Sequence, residues 1–302
     1  MGFLLSLCFL LCLASGANVT VTVLADGFGW LENLAFADGS LFFSEAMVSR
    51  VWRLDGPRGN ATLFLDLGKQ FQRVLGLSFD PAVAVLWGVG HLTNGSYAVY
   101  RTPVAAPELS LVLIPALGNG LGVHLATGDV YTSAEGSLMP WSHRGGVYRV
   151  RGESVLTLAS SLRSSDGLWI DQKRDLLYVG QLFEGNVVVW NISSSSPELL
   201  GTIPGLGAAG GLLDDFTLSA DGLAIFGCNW LSGEIVRFPA LPAKGAFPAE
   251  AVVPKSAGIV HPTSARWGVP PFSPAALYVT EGDPFAQAQG SRNRLLRIEF
   301  DS

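Results

Sequence analysis

Ser165-Asp-Gly-Leu-Trp-Ile-Asp171, Leu176-Leu-Tyr-Val-Gly180 and Asn186-Val-Val-Val-Trp190 follow one another near the middle of a chain of 302 residues. Each run is short, apolar and rich in β-branched or aromatic residues, and polar turns separate them. They read as consecutive strands of one antiparallel sheet. The same phrase recurs upstream. Trp30-Leu-Glu-Asn-Leu-Ala-Phe36 leads to Leu41-Phe-Phe-Ser44 and Arg50-Val-Trp-Arg-Leu54. Val74-Leu-Gly-Leu-Ser-Phe-Asp80 leads to Val85-Leu-Trp-Gly-Val89 and Tyr97-Ala-Val-Tyr100. Gly118-Asn-Gly-Leu-Gly-Val-His124 leads to Gly128-Asp-Val-Tyr-Thr132 and Gly146-Val-Tyr-Arg-Val150. Downstream come Leu213-Asp-Asp-Phe-Thr-Leu218 and Pro262-Thr-Ser-Ala-Arg-Trp267, each again followed by two apolar runs.

One marker in the first strand of each segment gives the period. Glu32, Leu75, Asn119, Asp166, Asp214 and Thr263 are separated by 43, 44, 47, 48 and 49 residues. A period in this range is that of four-stranded propeller blades. No segment sustains a helical period, so the expected fold is all-β, a six-bladed β-propeller spanning 18–302 as a single domain. Asn18 to Leu24 is expected to close the ring against the last blade. The 36 glycines and 17 prolines suit a turn-rich chain, and 49% hydrophobic residues allow a large core.

Residues 1–17 carry no charge, hold an apolar run from Phe3 to Leu13 and end in Ala14-Ser-Gly-Ala17. They read as a secretory signal peptide, too short for a membrane span. Met1-Gly2 to Ser6 also fits the loose myristoylation pattern, the weaker alternative because an apolar run follows. Sequons at Asn18, Asn60, Asn94 and Asn191 suit glycosylation of a secreted, extracellular protein. No second apolar stretch is long enough to span a bilayer, so a soluble monomer is expected. A net charge of −6 lacks the basic footprint of a nucleic-acid partner. Cys8 and Cys12 leave with the signal. Cys228 then has no disulfide partner and reads as a small buried apolar residue.

The repeat places chemistry as well as strands. First strands of propeller blades line a central channel, so residues one period apart become neighbours around its axis. Four markers, Glu32, Asn119, Asp166 and Asp214, carry oxygen, and neither Leu75 nor Thr263 is a cation to balance them. Converging carboxylates repel unless a positive ion lies among them. Carboxylate and amide oxygens without Cys or paired His point to one hard divalent cation, Ca²⁺ foremost. The alternative for Asp166 and Asp214 is that they cap tight turns.

Other residues carry weaker signals. Asp215 is expected to turn away from the axis by strand alternation, and His124 to be a channel or core histidine. His261, just ahead of the sixth inner strand, and Asn229 are candidate substrate-binding residues. Glu281 is a further acidic group near the pocket, and Trp141, Trp230 and Phe285 are candidate walls of an apolar cavity. The chain has no Gly-x-Ser-x-Gly elbow, phosphate loop or dinucleotide fingerprint.

Four of these stretches resemble the senescence marker protein (regucalcin), gluconolactonase and luciferin-regenerating-enzyme family. They are Glu32-Asn-Leu-Ala-Phe36 before Asp38-Gly-Ser, Asp166-Gly-Leu-Trp-Ile-Asp171, Leu213-Asp-Asp-Phe-Thr-Leu218, and Pro262-Thr-Ser with Leu277-Tyr-Val-Thr280. The resemblance spans the chain after the signal. It implies one metal held by Glu32, Asn119, the residue at 166 and Asp214, with Asp166 standing where the family has a second Asn. It also implies hydrolysis of a lactone or related ester, the cation serving as Lewis acid and Asp214 as general base on a water the cation acidifies. The Arg that sugar lactonases place two residues before the first Asn is Leu117 here, which favours a small-molecule substrate less polar than a sugar lactone. Two other classes remain open, a biosynthetic cyclase or pericyclase on the same propeller and a non-enzymatic binding propeller.

Overall fold

The computed structural model describes residues 18–135, 145–206, 211–241, 249–283 and 293–301. The expected signal at 1–17, Trp141 and Phe285 lie outside the described residues. Six four-stranded antiparallel sheets are arranged as blades of a ring. The chain enters through β1 (Val19–Phe28) and builds blade one from β2 (Leu31–Ala37), β3 (Ser40–Glu45), β4 (Arg50–Asp55) and β5 (Ala61–Asp66). Blade two is β6 (Phe71–Asp80), β7 (Val85–Leu92), β8 (Tyr97–Pro103) and β9 (Ser110–Ile114). Blade three is β10 (Gly118–His124), β11 (Asp129–Ala134), β12 (Gly145–Arg151) and β13 (Ser154–Leu162). Blade four is β14 (Ser165–Asp171), β15 (Leu176–Gln181), β16 (Asn186–Asn191) and β17 (Glu198–Ile203). Blade five is β18 (Leu213–Leu218), β19 (Ala224–Asn229), β20 (Glu234–Pro239) and β21 (Glu250–Val253). Blade six is β22 (Pro262–Trp267), β23 (Ala276–Glu281) and β24 (Asn293–Phe300), with β1 as its outer strand. Val19 pairs with Phe300 and Val21 with Ile298, so the first strand closes the ring as expected.

Burial explains the apolar runs. Second strands such as β3 and β15 are buried along their whole length, because both faces of each blade meet a neighbouring blade. Outer strands such as β13 alternate with solvent-exposed residues. The core is divided into apolar clusters between successive blades. Phe42, Phe71 and Tyr100 fill one between blades one and two, and Phe216, Phe238 and Tyr178 fill another between four and five. Among the described residues no helix is long and apolar enough to cross a membrane.

One irregularity repeats and positions the site. In blade one Leu31 pairs with Glu45 and pairing resumes at Leu34 with Phe43, so Glu32 and Asn33 face the single residue Ser44. The same two-against-one bulge holds Leu75-Gly76, Asn119-Gly120, Asp166-Gly167 and Asp214-Asp215. In blade six Thr263 is the extra residue. Bulges re-aim side chains. Here the markers of the sequence repeat are the first bulge residues, not turn caps. The second bulge residue lies against the next blade. A Cβ on Gly120 would stand 2.5 Å from the Asp166 carbonyl oxygen, and one on Gly167 would stand 2.6 Å from the Asp215 Cα. Glycine at these places lets the inner strands approach closely enough for the markers to converge.

Candidate metal centre

The bulges of blades one, four and five bring Glu32, Asp166 and Asp214 together. One carboxylate oxygen of each lies within 4.8 Å of the others, and all three residues are buried. Asn119, also buried, donates its Nδ2 to Glu32 Oε1 at 3.2 Å and to Glu135 Oε1 at 2.6 Å. The Trp30 indole N–H donates to Glu32 Oε2. Asp166 Oδ1 has no hydrogen-bond partner among the described residues.

This arrangement is electrostatically costly by itself. Burial, then the nearby Glu135 carboxylate, push Glu32 up to about 7, against the lowering effect of its bonds from Asn119 and Trp30. Burial and then Asp214 raise Asp166 well above the usual carboxylate range, and burial and then Glu32 do the same to Asp214. Burial also raises Glu135. Three converging carboxylates, one with an orphaned oxygen, and a neighbouring amide form an all-oxygen donor set. That set fits a hard divalent cation, which would replace the missing hydrogen bonds and relieve the repulsion.

The neighbouring acid behaves differently. Asp215 Oδ2 accepts from Asn33 Nδ2 at 2.8 Å and from Ser264 Oγ at 2.6 Å, and pairs with Arg266 at 2.7 Å. Arg266 also donates to the Phe216 carbonyl and lies over the Trp169 ring. Asp215 is thus a structural link tying blades one, five and six, in line with its expected turn away from the marker position.

A cavity of about 420 Å³ reaches the cluster at Glu32, the one member of it among the described lining residues, and is also lined by Trp30, Arg73, Leu75, Leu117 and Glu135, among others. Trp30, Arg73 and Leu117 each stand two residues before a marker, so they form a second tier around the mouth. His261 belongs to the same tier of blade six. Its Nδ1 donates to the Trp230 carbonyl at 2.8 Å, and its ring stacks on Trp230, which stacks in turn toward Trp30. Asn229 is buried, and its Oδ1 accepts the Ser232 N–H at 3.4 Å. His261 and Asn229 are not among the described residues lining this cavity. His124 lies at the opposite end of its strand, fixed between Thr127 and Asp175. Glu281 is paired with Arg294 at 2.6 Å. Cys228 is fully buried and its thiol is pushed well up by burial, which removes nucleophilic character. Of the sequons, Asn18, Asn60 and Asn94 are exposed and Asn191 is half-buried.

Sequence reasoning missed Glu135 and Arg73. Glu135 follows β11, outside the repeat of the inner strands. Arg73 was legible as the blade-two counterpart of Leu117, both two residues ahead of their markers.

No protein-family model matches the chain, and no curated protein matches it either. Solved structures do. A gluconolactonase from Xanthomonas campestris is 17% identical with a TM-score of 0.69, covering 94% of this chain and 90% of its own. A luciferin-regenerating enzyme is 13% identical with a TM-score of 0.70, covering 93% and 95%. A calcium-binding regucalcin from Agrobacterium tumefaciens is 14% identical with a TM-score of 0.67, covering 92% of each chain. These are the proteins whose family the motifs resemble. At such identities the likeness shows the six-bladed fold, which a PQQ-bound sugar dehydrogenase from Streptomyces coelicolor shares.

Proposed function

We propose that this chain is an exported carboxylic ester hydrolase, dependent on a divalent cation with Ca²⁺ as the favoured ion, that opens a lactone or small ester less polar than a sugar lactone. The observation carrying this reading is the buried cluster of Glu32, Asp166 and Asp214, with oxygens within 4.8 Å, reached through Glu32 from a cavity large enough for a small molecule. The motif resemblance and the lactonase and calcium-binding names among the structural neighbours support it.

A cation held by Glu32, Asn119, Asp166 and Asp214 would polarise the ester carbonyl and acidify an attacking water. Asp214 would accept the proton of that water. A carboxylate that binds a cation is a weak base, so this step depends on the water already being acidified. Trp30 and Asn119 hold the two oxygens of Glu32 and so fix its orientation. Asn119 also fixes Glu135 at the cavity wall. Leu75 and Leu117 present an apolar surface to the substrate body.

The test is a panel of esters and lactones assayed with and without chelator on the wild type and Asp214→Asn. Turnover is expected to need the ion and to fall at least about a hundredfold in the variant, the usual scale of a lost general base. Turnover that ignores the chelator would overturn the reading and favour a shape-driven ring-forming reaction.

A further inference from the structure

Among the described residues lining the cavity, Arg73 is the one Lys or Arg. It lies on β6 two residues before Leu75, as Leu117 lies two residues before Asn119. The register makes the two positions equivalent. Val74 and Leu77 flank the blade-two bulge as Gly118 and Leu121 flank that of blade three. The second tier of the mouth thus keeps one guanidinium but carries it one blade away from Leu117. Arg73 is half-buried, and among the described residues its side chain has no hydrogen bond or ion pair. It is close enough to Glu135 to act on it electrostatically. A guanidinium at a cavity wall matches planar oxygen acceptors, above all a carboxylate. The lining also holds Leu75, Leu117, Ala46, Met47 and Val48 as an apolar part, and Glu32, Glu45, Glu135 and Asp283 as an acidic one.

We infer that Arg73 is the substrate anchor of this pocket, and that the substrate is a lactone or ester with a carboxylate beside the scissile group and an otherwise apolar body. This rests on the hydrolase reading above and amends its substrate class by one charged group on an apolar body. Arg73 offsets part of the charge of Glu135, and Glu32, Glu45 and Asp283 keep the rest of the lining acidic. An anionic group is drawn to Arg73 and repelled by carboxylates elsewhere in the lining, which orients the ligand in the cavity. Arg73 is a binding and positioning residue, because it holds the substrate at a distance from the reacting carbonyl.

The experiment uses a γ-lactone bearing a ring carboxylate and the methyl ester of the same acid, with the calcium-loaded protein and its Arg73→Gln and Arg73→Lys variants. The readout is the ratio of kcat/KM for the carboxylate over the methyl ester. The ratio is expected to fall about ten- to a hundredfold in Arg73→Gln, the scale of a charged hydrogen bond, chiefly through KM. Arg73→Lys is expected to recover part of it, since charge without the planar fork restores attraction but not bidentate fit. An unchanged ratio in Arg73→Gln would overturn the assignment. Calorimetry of the ring-opened hydroxydicarboxylate separates this outcome from failure of the hydrolase reading. Weaker binding to Arg73→Gln than to wild type sustains the anchor even if neither lactone is turned over. Equal binding by both proteins refutes it.

Discussion

Glu32 shows how much one residue is asked to do. It is buried, receives bonds from Trp30 and Asn119, and sits among three other acids. Its carboxyl is raised from 4.5 to about 7, first by burial and then by Glu135. In the ion-free protein the folded state therefore holds a proton that the unfolded chain has released. Stability from this group is complete below about pH 4.5 and is lost as pH rises through about 7. A shift of this size corresponds to roughly 3 kcal/mol, because each pKa unit is about 1.4 kcal/mol. Denaturant unfolding of chelator-treated protein should show stability falling across that window, and Glu32→Gln should flatten the curve. Calcium competes with the same proton, so its affinity in calorimetry should climb over the same interval, with proton release that depends on the buffer's ionisation enthalpy. A pH-independent affinity would mean the carboxylates are not the ligands.

At the scale of the element, the repeated bulge decides what the strands can do. The sequence period made the markers legible. Glu32, Asn119, Asp166 and Asp214 could be aligned because each opens an apolar strand at a nearly constant interval, and three of them meet within 4.8 Å. The bulge itself was not legible, since one extra residue leaves no mark in an apolar run. Alternation turns Asp215 away from Asp214 but does not say that Arg266 is the partner it meets. Arg266 lies three residues past a marker, and its reach back to the neighbouring blade depends on side-chain length and path. That buried pair supports a second prediction. Arg266→Met leaves Asp215 buried without its cation and should cost about 3–5 kcal/mol. Combining it with Asp215→Asn should restore much of the loss, because the amide oxygen still accepts from Ser264 without a stranded charge. Equilibrium unfolding of the four proteins measures the coupling, and strict additivity would deny the link. The bulge glycines give a third expectation. In Gly167→Ala the new Cβ meets backbone of blade five at 2.6 Å, so the inner strands must part. Destabilisation of about 1–3 kcal/mol is expected from such overpacking. Ion affinity should weaken with it, because Asp166 and Asp214 flank the contact. A variant with native ion affinity would show that the markers converge without that close approach.

For the whole molecule, most blade-to-blade packing joins neighbours in sequence, and the seam is the exception. Blade six is completed by β1, which pairs with β24 from Val19–Phe300 to Phe28–Asn293 and packs Val21 and Leu24 onto the apolar clusters at either side. Removing residues 18–28 would leave β24 as an exposed edge and uncover both clusters, a template for aggregation. The site spans this seam. Glu32 stands in blade one and Asp166 and Asp214 in blades four and five, so their meeting requires the ring to be shut. An ion that joins them binds the closed ring and not the opened one. At a hundred times its dissociation constant it should add about 2.7 kcal/mol to the intact protein's stability. The truncated chain should gain far less, because its acids no longer share one place. Thermal unfolding of both proteins with and without calcium checks the coupling between closure and ion. An equal calcium-dependent rise in Tm would locate the ion away from the axis, on a surface that closure does not build.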